Sequence, residues 1–127
     1  MGYHGGVPMS QWYITPSKQY ERDIKAMMKR HPREVEQMLV NLQRYHQNLQ
    51  EHDNPLRMVE FSFVHREAAG CHAITQQPLS PATQTRLYLY CYVQDHEIHL
   101  ICAGDKHTQH DDNEYCKKYV KQLNNGK

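Results

Sequence analysis

The spacing of apolar side chains changes once along the first half of this chain, from a helical period to a strand period, and that change limits the order in which its elements can follow one another. Tyr20, Ile24, Met27 and Met28 recur at i, i+4, i+7 and i+8, the stripe of an amphipathic helix. Ahead of them Gln11 to Thr15, QWYIT, has the aromatic and β-branched composition of a short strand, and Pro16 suits the first turn of the helix that follows. His31-Pro32 interrupts the stripe. Pro32 can open a second helix, in which Val35, Met38, Leu39, Leu42, Tyr45, His46 and Leu49 keep the same period. Beyond Asp53-Asn54-Pro55, Val59, Phe61 and Phe63 alternate with Glu60 and Ser62, which predicts a half-buried strand.

The strand period then persists. Ala68-Ala69-Gly70 turns the chain into a candidate strand from Cys71 to Gln76, and a loop rich in Pro, Ser and Thr covers Gln77 to Thr85. From Arg86 to Val93, Leu87, Leu89, Cys91 and Val93 share one face while Arg86, Tyr88, Tyr90 and Tyr92 share the other. Gln94-Asp95-His96 is a hairpin signal, and Ile98 to Ala103 completes the meander. Asp111 with Glu114 three residues on has the form of a capping box, so a last helix is expected from near Asp112, packed through Tyr115, Cys116, Tyr119, Val120 and Leu123. The expected class is α+β: a strand, a two-helix hairpin, a three- to four-stranded antiparallel sheet and a C-terminal helix. A single domain is expected over 11–124, between a flexible N-terminus, 1–10, and a short tail, 125–127.

With 127 residues, one hydrophobic core is expected. The chain carries 15 Lys and Arg against 14 Asp and Glu, with ten His, so any nucleic-acid contact must come from a local patch and not a global basic field. Cys71, Cys91, Cys102 and Cys116 form no CxxC pair and fall in apolar patterns, which predicts buried, reduced thiols. The opening MGYHGGVPMS has no secretory apolar core, and no run approaches the roughly twenty apolar residues of a membrane span, so a soluble cytoplasmic protein is expected.

Three groups of residues could carry chemistry. The stretch AGDKHTQHDD, 103–112, crowds two His, a Lys and three Asp into one loop. Its His107-x-x-His110 spacing, repeated at His96 and His99, lacks a nearby thiolate, so solvated histidines are favoured over a metal. Arg86, Tyr88, Tyr90 and Tyr92 form an aromatic face that either packs or stacks on bases beside a phosphate-binding arginine. His65-Arg66-Glu67 ends a strand near a turn that could bring it beside Arg86, with a surface salt bridge as the plainer reading.

Two segments, YITPSKQYERDIKAMMKRHP and RLYLYCYVQDHEIHLICAGDKHTQ, resemble the RelE/ParE superfamily of type II toxins. The first is similar to the family's opening strand, turn and basic helix. The second is similar to its arginine-led strand, hairpin, apolar strand and closing basic loop, and the two stand at residues 13–32 and 86–109 within the stretch from 12 to 123. The resemblance implies a toxin that cleaves mRNA on the ribosome and is held inactive by an antitoxin. It implies neither metal nor cofactor: the RNA 2′-hydroxyl attacks the adjacent phosphodiester while side chains move protons and stabilise charge. Arg86 corresponds to the family's phosphate-binding arginine, and Lys106 and His107 to the basic residues of the closing loop. His65 joins the expected catalytic set by position alone, and Arg66, Tyr88 and Tyr90 are the expected RNA contacts. Inhibition of DNA gyrase, or a non-catalytic module that pairs with a regulator, are the alternatives the same resemblance allows.

Overall fold

The computed structural model describes residues 10–78 and 85–126. Its elements run β1 (Tyr13–Pro16), α1 (Lys18–Arg30), α2 (Pro32–His52), β2 (Val64–Arg66), β3 (His72–Thr75), β4 (Leu87–Gln94), β5 (Glu97–Asp105) and α3 (Gln109–Asn125), with 3₁₀ turns at Pro55–Glu60, Ala68–Gly70 and Lys106–Thr108. The strands form one five-stranded sheet in the order β1-β5-β4-β3-β2. β1 pairs in parallel with β5, and every other pairing is antiparallel. The class is α+β as expected, but the sheet is mixed and larger than the antiparallel three or four strands read from the sequence. Most of the Pro/Ser/Thr-rich loop, and the expected flexible N-terminus apart from Ser10, lie outside the described residues.

Local chemistry explains where the helices begin. Pro16 closes β1 and does not open α1; Ser17 is the cap, accepting from the Tyr20 N–H at 3.0 Å while its hydroxyl donates to the Ile101 carbonyl at 2.7 Å. One serine thus starts the helix and ties it to β5. Pro32 opens α2 as expected, and because a residue before proline is pushed out of the helical region, His31 sits at the corner between the two helices with φ −137° and ψ 60°. Asp95 and His96 both have positive φ, which gives the β4–β5 hairpin a two-residue turn matched to strand twist.

The sheet is covered on both faces. Under α1 and α2 lie Leu87, Leu89 and Cys91, packed with Val35, Met38 and Tyr45. Under α3 lie Tyr90, Ile101 and Cys102 with Cys116 and Val120, and Tyr88 and Tyr92 flank them. A register shift beside Tyr90 and Cys91 leaves Ile101 out of the pairing, so Ile101 and Cys102 both serve the α3 face while Leu100 and Ala103 serve the other. The outer edge of β1 is blunted at two points. His46 donates from Nε2 to the Trp12 carbonyl at 2.6 Å, and Pro16 has no N–H to offer.

Two expectations are corrected. Val59 to Phe63 is not a strand: Asn54 caps a 3₁₀ turn from Pro55 to Glu60, and Phe61 and Phe63 follow in a bend. Their rings stack on each other at 4.7 Å, and the Arg44 guanidinium lies over both, 5.7 and 5.0 Å from the centroids. The capping box ahead of α3 is formed by Asp105 and Thr108 instead of Asp111 and Glu114; Glu114 pairs with Lys117 at 2.6 Å.

Asn41, fully buried on α2, donates from Nδ2 to the carbonyls of Thr75 and Gln77 at 2.8 and 2.7 Å, fixing the chain where it leaves β3. Asn41→Leu removes the amide donor of the Thr75 carbonyl and leaves the Gln77 carbonyl only the longer contact from Gln37 Nε2 at 3.4 Å. It should lower stability by about 1–3 kcal/mol, read as a fall in the urea midpoint at unchanged slope. A midpoint equal to wild type would show that the amide is not a structural tie.

Candidate active site

The ends of β4 and β5 meet the corner between α1 and α2. There a cavity of about 210 Å³ is lined by His31, Thr85, Arg86, Asp105, Lys106 and His107. Arg86, Lys106 and His107, three of the residues singled out from the sequence, share this cavity, and Arg86, Lys106 and His107 are all exposed. No shared sequence segment brings His31 there. It is delivered by the Pro32 break, which turns the chain at the site.

Each wall is held by polar contacts. Gln76, buried at the end of β3, donates from Nε2 to the Thr85 carbonyl at 2.5 Å and accepts the Leu87 N–H on Oε1 at 2.7 Å. These two bonds bracket Arg86 and fix its backbone. On the other strand Asp105 accepts the N–H groups of His107 and Thr108 at 2.8 and 3.2 Å, while the Thr108 hydroxyl accepts the Asp105 N–H at 3.1 Å. The reciprocal cap winds Lys106–Thr108 into one tight turn that projects Lys106 and His107 into solvent.

A second cavity of about 180 Å³ adjoins the first, sharing His31 and Asp105 and adding Asp23, Arg30, Thr108 and Asp112. Burial raises the Asp112 carboxyl to about 6, opposed by a hydrogen bond from the Thr108 hydroxyl at 2.7 Å and reinforced by the neighbouring Asp23, Asp105 and Asp111. Gly104 lines the same space. A Cβ there would collide with the side chains of Asp112 and Thr108, so the close seating of α3 on β5 requires glycine.

The remaining sequence candidates are placed elsewhere. Arg66 pairs with His72, and His72 with Cys91, which lies five residues along β4 from Arg86, roughly 16 Å at the usual rise of a strand. His65 and Arg66 are therefore exposed on the β2 edge and do not join Arg86. Burial, and then the Arg66 charge, lowers the pKa of His72, consistent with a neutral ring accepting the Tyr45 hydroxyl on Nδ1 at 2.8 Å. Tyr90 is fully buried beneath α3, so it offers no face to a base; Tyr88 is half-buried on the same side. His96 pairs with Asp53 at 3.1 Å and His99 with the Tyr119 hydroxyl at 3.2 Å. Among the described residues no three of His, Cys, Asp and Glu are grouped to hold a metal ion.

Two outcomes follow from this geometry. Gln76→Leu unpairs the Leu87 N–H and the Thr85 carbonyl, and it should cost about 1–3 kcal/mol and strip the Leu87 amide of its hydrogen-exchange protection; undiminished protection would refute the clamp. For Asp112, the folded state holds a proton that the unfolded chain has released between about pH 4 and pH 6, so this group's contribution to stability falls as pH rises through that window. The melting temperature of Asp112→Asn relative to wild type should therefore increase from about pH 4.5 to about pH 7, and a pH-independent difference would contradict the burial effect.

The chain matches no family model, no curated protein and no solved structure with which it was compared, so the functional reading rests on its own residues.

Proposed function

We propose that this protein is a toxin of the RelE/ParE type, a ribosome-dependent mRNA endonuclease controlled by an antitoxin. One observation carries the reading: Arg86, Lys106, His107 and His31 line a single open cavity where the ends of two strands meet a helix corner. Cleavage by the neighbouring 2′-hydroxyl asks for cations around the phosphate, a base for the attacking hydroxyl and an acid for the departing 5′-oxygen. Arg86 offers a planar fork to phosphate oxygens, and Lys106 a mobile point charge for the phosphorane. Two imidazoles on one cavity can divide the base and acid roles. With a formal net charge of +1, this cluster supplies a local attraction for RNA that the chain as a whole lacks.

The test is induced expression in a bacterial host, with growth followed and the 5′ ends of cellular mRNA mapped. Wild type should arrest growth and leave new ends inside translated reading frames. Arg86→Ala should lower the cleavage rate by about 10²–10³-fold, and the Arg86→Ala/His107→Ala pair should abolish both effects with the fold intact, since both side chains are exposed. Full toxicity of the double variant would remove this site from the mechanism. Arrest with intact mRNA and damaged DNA would overturn the nuclease reading in favour of gyrase inhibition, and no arrest at all would leave a binding module.

A further inference from the structure

Three of the four cysteines converge under α3. Cys71, just ahead of β3, Cys102 in β5 and Cys116 in α3 are each at most 1% exposed and belong to one cluster. The three thiols share one buried cluster between the sheet and α3, and the Cys102 thiol reaches the Asp112 carbonyl at 3.9 Å. Cys91 belongs to the opposite face of the sheet. Nothing in the RNA-cleavage reading uses these thiols.

We infer that Cys71 and Cys116 form a modification site: a thiol pair that is oxidised when α3 lifts from the sheet and closes to a disulfide as the helix returns, locking it down. The helix is suited to lifting, because only Cys116 and Val120 of its 17 residues are buried. Beneath it the Tyr90 hydroxyl is buried with no partner among the described residues, a cost that docking α3 does not relieve. While α3 is down, the neighbouring thiols, and then burial, hold Cys71 and Cys116 protonated and slow to react. Opening is what makes them available.

Cys71 is the favoured partner of Cys116 for a backbone reason. A disulfide needs the two Cα atoms within about 7 Å and a narrow range of torsions. Cys71 follows a turn in which Ala69 and Gly70 both take positive φ, and its carbonyl accepts the Glu67 N–H across that turn, so the segment adjusts as a unit. Cys102 is fixed by its pairing with Tyr90 inside the sheet. Asn113, one turn before Cys116, already joins α3 to the same turn by accepting the Ala68 N–H at 2.9 Å and donating to Glu67 at 2.9 Å.

With hydrogen peroxide as oxidant the step balances. One thiolate attacks a peroxide oxygen, the S–O bond forms, the O–O bond breaks, and hydroxide leaves to become water. The second thiolate attacks the sulfenic sulfur, the S–S bond forms, and hydroxide departs again. Two thiols and one peroxide give one disulfide and two waters.

The experiment treats the full chain with peroxide, blocks remaining thiols with an alkylating agent and maps the peptides by mass spectrometry without reduction. A Cys71–Cys116 peptide pair is expected, with Cys91 alkylated. Its rate of formation should rise at least about threefold in urea below the unfolding midpoint, with a urea dependence smaller than that of global unfolding. The oxidised protein should melt at least about 5 °C higher. Cys71→Ser and Cys116→Ser should each prevent the crosslink, while Cys91→Ser should not. Because Cys116→Ser alters a buried position, the wild-type peptide map decides the matter without it. The inference is overturned by the absence of any crosslink, by a crosslink through Cys91 or Cys102 or between two chains, or by a urea dependence equal to that of global unfolding.

Discussion

The parallel pairing of β1 with β5 is the constraint on which the rest of this structure depends. It joins the first strand to the last, so everything between must leave one side of β5 and return to it from the other. The helical hairpin makes the outward crossing over one face, and β2 to β4 bring the chain back. Ser17 fastens that arrangement at a single point, capping α1 with one lone pair and donating its hydroxyl proton to β5. Closing the sheet in this way places the end of β5 beside the corner between α1 and α2. The candidate site is the consequence: a strand end, a strand start and a helix corner meet because β5 lies between β1 and β4.

Burial on both faces explains how the sheet tolerates so tyrosine-rich a strand. Leu87, Leu89 and Cys91 face the hairpin, and the tyrosines on alternate positions face α3. Aromatic rings that look available for stacking in the sequence are occupied by the final helix. The shift beside Tyr90 then lets consecutive residues, Ile101 and Cys102, serve one face, and that local irregularity is what draws Cys102 toward Cys116.

Much of the fold was legible because its cues are local. The helical stripe of α1, Pro32 at the start of α2, the Asp95-His96 turn and the alternating faces of β4 all act through near neighbours. The stretch from Val59 to Phe63 misled for the opposite reason. Alternation there reflects two phenylalanines collected on the same side of a bend by Arg44, a residue contributed by α2. The site divides along the same line. Arg86, Lys106 and His107 advertise themselves by residue type and by standing at strand ends, whereas Gln76 and His31 matter only once β3 and the helix corner are folded against them. A glutamine at a strand end and a histidine before proline carry no local signature of those roles. His65 and Arg66 were misplaced because the β2–β3 register, which a sequence does not display, sets their distance from Arg86.

The blunted edge of β1 also bears on how this chain behaves in company. A sheet grows by offering an outward row of N–H and C=O groups to another strand. Here His46 occupies the Trp12 carbonyl and proline stands at the other end, which leaves an incoming strand a single residue, Ile14, between two blocked positions. One residue cannot hold a register. Tyr13 and Ile14 can therefore remain exposed at the rim without recruiting a neighbour, and on this side the sheet is self-limiting.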